Sequence, residues 1–198
     1  MKKVLLSFIL IAAMSLPSFA QSFRLGLTGG VTSIQSPDSY TDDPSDGGMG
    51  FGSSAHYGLK AKLGLPLLPL TVTGQLIRTS FSNEVNNVDI DQSLLIFGAG
   101  IEWGILPIPG PINPYVALDL FYSNFGDVEY TYNNVEYNQD GFSRTGLGIG
   151  AGVEFTMLPK IDLEASAKYN FNNLIGQEDD EESMNTINIS FSVLYSLN

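Results

Sequence analysis

Thr186-Ile187-Asn188-Ile189-Ser190-Phe191-Ser192-Val193-Leu194-Tyr195-Ser196-Leu197 is the stretch that decides the fold. Ile187, Ile189, Phe191, Val193, Tyr195 and Leu197 fall on one side. Thr186, Asn188, Ser190, Ser192 and Ser196 fall on the other, interrupted only by Leu194. A period of two is the mark of a β-strand, because successive side chains point to opposite faces. About ten residues of this pattern is the length of a tilted strand that crosses a bilayer. The alternation recurs eight times after residue 22. Each time, one face is apolar and the other is glycine, hydroxyl and charge.

Working back from the C-terminus, the other seven segments are Phe23–Ile34, Ala55–Leu65, Leu70–Phe81, Ser93–Ile105, Pro114–Ser123, Ser143–Phe155 and Ile161–Phe171. Their connections alternate in length. Pro66-Leu67-Leu68-Pro69, Leu106 to Asn113 and Met157 to Lys160 are short, and each contains proline, which presets φ for a turn and cannot donate to a ladder. The connections at 35–54, 82–92, 124–142 and 172–185 are longer and polar. Short turns on one side and long loops on the other predict an all-β, membrane-spanning, eight-stranded antiparallel up-and-down barrel, with the turns periplasmic and the loops outside. Val128, Tyr130 and Tyr132, then Asn133-Asn134, then Val135 and Tyr137, predict that the fifth and sixth strands run on as a hairpin beyond the membrane.

Charge sorts with the pattern. Arg78, at the outer end of the third strand, is the one charge on the outward faces, placed where its head can snorkel to the headgroup layer. Ten charges face inward: Arg24, Lys60, Lys62, Arg144 and Lys168 against Glu102, Asp119, Glu154, Asp162 and Glu164. Buried charges are tolerated when paired, so an ion-pair network is expected in the lumen. A soluble carrier barrel would show the reverse pattern, since this one would expose every apolar face to water. Eight strands leave an interior that side chains fill. The inward glycines Gly98, Gly100, Gly146, Gly148, Gly150 and Gly152 make room for Tyr115, Phe121 and the long charged side chains.

The chain of 198 residues opens with Lys2 and Lys3, the apolar run Val4 to Leu16, Pro17 and Ser18-Phe19-Ala20. A basic start, a short apolar run and a small-x-small site predict a cleaved signal peptide over 1–20 and a barrel domain over 21–198. The run is shorter than the ~20 apolar residues of a spanning helix. After cleavage seven basic groups stand against 21 acidic ones. Nothing basic is clustered, which argues against nucleic acid as a partner. The absence of Cys removes disulfides, thiolate nucleophiles and sulfur-held metals.

These features resemble the small eight-stranded outer-membrane proteins, of the OmpA transmembrane-domain and OmpX-like type. The resemblance covers Gln21 to Asn198 and rests on the signal peptide, the strand count, the loop asymmetry, the charge-paired lumen and the amphipathic last strand. It implies an integral outer-membrane location and a monomer among outer-membrane lipid and lipopolysaccharide. The chain departs from the type in ending on Asn198 rather than an aromatic, and no peptidoglycan-binding domain is expected after the barrel.

Candidate chemistry is sparse. Gly146-Leu147-Gly148-Ile149-Gly150-Ala151 fits G-x-G-x-x-A, but a dinucleotide site needs a helix directly after it, and Val153-Glu154-Phe155 continues the strand. His56, preceded by Ser53 and Ser54, is the sole histidine. Parity turns it to the lumen, whereas a lipid hydrolase needs its base at the lipid face. The four long loops hold the other 16 acidic residues and no Lys or Arg. Asp42, Asp43 and Asp46, and the run Glu178, Asp179, Asp180, Glu181 and Glu182, are the candidate loop ligands for divalent cations, without EF-hand spacing. Phe23, Trp103, Tyr122, Phe155, Tyr169 and Tyr195 are placed to form aromatic girdles. No cofactor, specific metal or catalytic residue is expected. The reading is a non-enzymatic barrel serving envelope structure or surface interaction. The alternatives are a narrow cation-preferring channel and a lipid-modifying enzyme.

Overall fold

The computed structural model describes residues 22–65, 68–85, 88–106, 110–132, 135–177 and 181–197. The expected signal peptide, Pro66-Leu67, Asn133-Asn134 and the loop acids Glu178, Asp179 and Asp180 lie outside them.

Ten strands follow one another: β1 (Ser22–Ser36), β2 (Ser53–Gly64), β3 (Leu70–Val85), β4 (Val88–Gly104), β5 (Ile112–Phe125), β6 (Val128–Tyr132), β7 (Val135–Gln139), β8 (Phe142–Leu158), β9 (Ile161–Ile175) and β10 (Asn185–Ser196). Eight of them form the wall, each antiparallel to its neighbours. β10 pairs back onto β1, from Arg24 opposite Ser196 to Thr32 opposite Asn188, and so closes the barrel. Closure leaves no free edge at membrane depth, where unpaired backbone groups have no water to bond.

The alternation read from the sequence sets which side chains face out. Leu27 is 68% exposed and Phe191 65%, while Lys62 is 1% and Glu102 3%. That is a soluble protein turned inside out, and it fits a wall bathed in hydrocarbon. Trp103, Tyr122 and Tyr195 are about half exposed near the strand ends.

The outer ends differ from the sequence reading. Within 82–92, residues 82–85 and 88–92 are strand rather than loop: β3 and β4 stay paired up to Val85 opposite Val88. The alternation simply continues there, with Phe81 and Ile90 buried inside and Glu84, Asp89 and Asp91 exposed outside. β6 and β7 form the expected outer hairpin. Phe125 faces Phe142 and Val128 faces Gln139 at the same offset, so the β5–β8 register carries through a break at Gly126-Asp127. At the break, the Gly126 N–H donates to the Ser93 carbonyl at 2.8 Å and the Gly141 N–H to Asp127 Oδ1 at 2.8 Å. β6 then pairs with the outer end of β4. The connection after β1 carries one short helix, α1 (Asp38–Thr41), and a 3-10 turn at Pro44–Asp46.

Candidate functional site

Two layers fill the interior, and the lower one is ionic. Parity turns Arg24 of β1 and Lys60 and Lys62 of β2 inward. Glu102 of β4, Glu154 of β8, and Asp162 and Glu164 of β9 turn inward to meet them. Lys62 Nζ stands 2.6 Å from Glu102, 2.6 Å from Glu154 and 2.7 Å from Glu164. Lys60 bridges Glu102 at 2.8 Å and Glu164 at 2.5 Å. Arg24 Nη1 donates to Glu154 at 2.5 Å and Asp162 at 2.9 Å. Along the wall, Arg24 is the cross-strand partner of Lys62, and Glu154 of Glu164. Like charges directly opposite are destabilising, and here each such pair finds its counter-charge across the lumen instead. The Tyr115 ring lies 4.9 Å from Lys62 Nζ and 5.9 Å from Lys60 Nζ, giving both ammoniums a cation–π contact. Higher up, Lys168 bridges Asp119 at 2.6 Å.

The inward glycines are where these bulky groups need them. Gly98, Gly146 and Gly148 back onto Phe121, Gly152 onto Tyr115, Gly100 onto Asp119 and Gly150 onto Lys168. The G-x-G-x-x-A segment is therefore the floor under the lumen side chains, in a strand that runs unbroken to Leu158. The gap left beside Lys60, Gln75, Lys168 and Asn188 is about 10 Å³, the space of about one water.

His56 lies above that gap, 3% exposed. Thr32 Oγ1 is 2.9 Å from its Nδ1 and Ser190 Oγ is 3.0 Å from its Nε2, with Thr79 3.3 Å from Thr32. Two hydroxyls thus occupy both ring nitrogens. A nucleophile–base pair needs a carboxylate or equivalent to orient the base, and among the described residues no carboxylate bonds this ring.

The outer layer is apolar, which the sequence reading of a polar inward face does not foresee. Ile77, Phe81, Ile90, Leu94, Ile96, Phe121 and Phe125 are all buried inside the wall. The loop after β1 covers them: the Tyr40 ring of α1 lies tilted against Phe51 with centroids 6.1 Å apart, and Phe51 tilted against Phe81 at 5.9 Å. At the outer end, where Glu84, Asp89 and Asp91 face outward, the burial of Phe81, Ile90 and Phe125 follows the ordinary rule of a soluble core.

Arg144 corrects the expected lumen set. It lies at the outer end of β8, only half-buried, and bridges Glu181 of the last loop at 2.7 Å. Asn173 holds the other Glu181 oxygen at 2.9 Å. A candidate cation ligand is thus the partner of a candidate lumen cation. In the first loop, the Ser45 backbone N–H at 2.9 Å and its hydroxyl at 2.8 Å hold the Asp43 carboxyl below the ordinary carboxylate range. Asp42 and Asp46 flank it in the chain. Among the described residues, no three His, Asp or Glu side chains converge as a metal site.

A second acidic feature needs the strand extension to be seen. Glu84 lies opposite Asp89 on β3–β4, and Asp91 opposite Glu129 on β4–β6, all four exposed on one outer face. The alternation through 82–91 was the available signal. At the other end of the barrel, below the ionic layer, the lumen widens into a vestibule of about 710 Å³.

Residues 6–196 match the family described as outer membrane protein beta-barrel domain. A comparison with the curated proteins finds no match. Among solved structures, Neisserial surface protein A superposes with a TM-score of 0.63 at 16% identity, over 88% of this chain and 97% of that one. A major outer membrane protein from Thermus thermophilus gives 0.59 at 10% identity, over 89% and 98%. Ail, the attachment invasion locus protein of Yersinia pestis, in complex with the heparin analogue sucrose octasulfate, gives 0.50 at 16% identity, over 88% and 97%. At these identities the likeness is one of fold.

Proposed function

The chain belongs to the outer membrane β-barrel domain family, and from that premise we propose that it is a non-enzymatic barrel working through its outer surface. The observation that carries the reading is the contrast between a filled interior and a bare anionic rim. Among the described residues, the gap between the ionic and the apolar layer is about 10 Å³, a constriction that argues against ion passage there. The rim presents Glu84, Asp89, Asp91 and Glu129 with like charges facing each other. Their partners are cationic: divalent ions that relieve the repulsion, and through them the phosphates of neighbouring lipopolysaccharide. Ail's crystallised ligand is a sulfated anion; an anionic rim selects the opposite charge.

Loop proteolysis of the purified barrel with and without Ca²⁺, at fixed ionic strength, tests this. Slower cleavage with Ca²⁺ is expected. Equal rates, or steady single-channel conductance in a planar bilayer, would remove the reading and favour a solvated face or a channel respectively. Unchanged lipid A mass spectra in a His56→Ala strain are expected on the non-enzymatic side of the proposal.

A further inference from the structure

The ionic layer does not balance. Ion pairs link Arg24, Lys60 and Lys62 to Glu102, Glu154, Asp162 and Glu164, so three positive charges face four negative ones. Glu102, Glu154 and Glu164 each accept from two cations. Among the described residues, Asp162 accepts from Arg24 alone, through Oδ2 at 2.9 Å, and is the carboxylate of this layer with the fewest cationic partners. The Lys168–Asp119 pair is neutral and separate. A surplus charge in a buried cluster is costly unless something supplies its counterpart.

The surplus lies on the floor of the vestibule. Arg24, Lys62, Glu102, Glu154 and Asp162 line that cavity from above, and Leu68 and Leu106, with Pro69 and Pro114, line its sides. At about 710 Å³ it has the size of a small-molecule site, with apolar walls and a few convergent polar groups. It opens at the end of the short turns, the periplasmic side in this family's layout.

We propose that the vestibule binds a primary ammonium group on an apolar stem, the ammonium seated by Asp162 and the stem along the leucine walls. Free alkylamines and lysine side chains of a periplasmic protein share this chemistry. The site is separate from the outer rim and stands whether or not the rim binds cations.

Isothermal titration of the full-length mature barrel in zwitterionic micelles tests it, with hexylamine, hexanol and hexanoate at fixed ionic strength. Hexylamine is expected to bind at least tenfold more tightly than hexanol, and hexanoate not at all. Asp162→Asn should lower hexylamine affinity tenfold or more. Leu68→Lys leaves the cluster intact, sets a competing ammonium on the wall and should weaken binding too, so the test survives if Asp162→Asn fails to fold. Gly-Gly-Lys-Gly-Gly against its norleucine counterpart separates the sources: a lysine preference points to a protein partner, and hexylamine binding alone to a free amine. Equal affinity for hexylamine and hexanol, or full affinity in Leu68→Lys, would overturn the proposal.

Discussion

Replacing Lys62 by Met keeps the stem and removes the charge that holds the ionic layer together. Lys62 is 1% exposed and its ammonium lies within 2.7 Å of Glu102, Glu154 and Glu164. Without it, Arg24 and Lys60 face four carboxylates, and the surplus doubles. Removing one partner of a buried ion pair costs about 3–5 kcal/mol, because the other is left uncompensated. With three carboxylates affected and each keeping one remaining cation, the middle of that range is expected. About 4 kcal/mol shifts the folding equilibrium by a factor of about 10³. Urea unfolding in phospholipid vesicles is the assay, and Trp103, the single tryptophan, reports it from the lipid face. Arg144→Ala is the internal reference: its bridge to Glu181 is part-exposed, with side chains 16% and 18% accessible, and should cost at most ~1 kcal/mol. Adding Glu164→Gln to Lys62→Met should recover part of the loss by returning the surplus to the single negative charge of the native layer. If Lys62→Met and Arg144→Ala unfold at the same urea concentration, the idea that cross-lumen pairing sustains the lower interior is wrong.

Gly98→Ala would set a Cβ 2.5 Å from Phe121 Cβ, whereas nothing lies within 4 Å of a Cβ at the outward Gly74. The first should cost about 1–3 kcal/mol in the same assay and Gly74→Ala much less. Asp91→Asn should slow amide exchange in β6 by relieving the facing charges of Asp91 and Glu129, a gain of about 0.2–1 kcal/mol. Ser45→Ala should raise the Asp43 midpoint in a carboxyl NMR titration, with part of the depression kept by the Ser45 backbone N–H. Because that carboxyl is depressed, the turn it holds is tightest above the ordinary carboxylate range and loosens as pH falls through the Asp43 midpoint; a first loop equally protease-resistant on both sides would count against it.

The wall was legible because hydrocarbon imposes a rule with almost no exceptions: every outward residue from Phe23 to Leu197 can be read by parity. The lower lumen was legible for the same reason, since a charge such as Lys62 or Glu164 has nowhere else to go. The apolar outer layer was not. Leu94, Ile96 and Phe125 on the inward face look like faults in the alternation until the loop carrying Tyr40 and Phe51 is seen to dry that space. Leu194, the fault noted in β10, is likewise inward and fully buried. The Arg144–Glu181 bridge joins residues far apart in sequence through a loop that carries no period. The facing acids of the rim were hidden by taking polar composition at 82–92 for a loop, when its alternation was intact.

The placement of charge along the chain bears on how the barrel reaches the membrane. The cations of the lower layer come from β1 and β2, and their counter-charges from β4, β8 and β9. No run of consecutive strands that stops short of β9 satisfies itself, and a partly assembled sheet would carry naked charges into hydrocarbon. Charge pairing is thereby tied to completion: three of the four acids lie on β8 and β9, so the cations of β1 and β2 are compensated only once β9 has joined the wall.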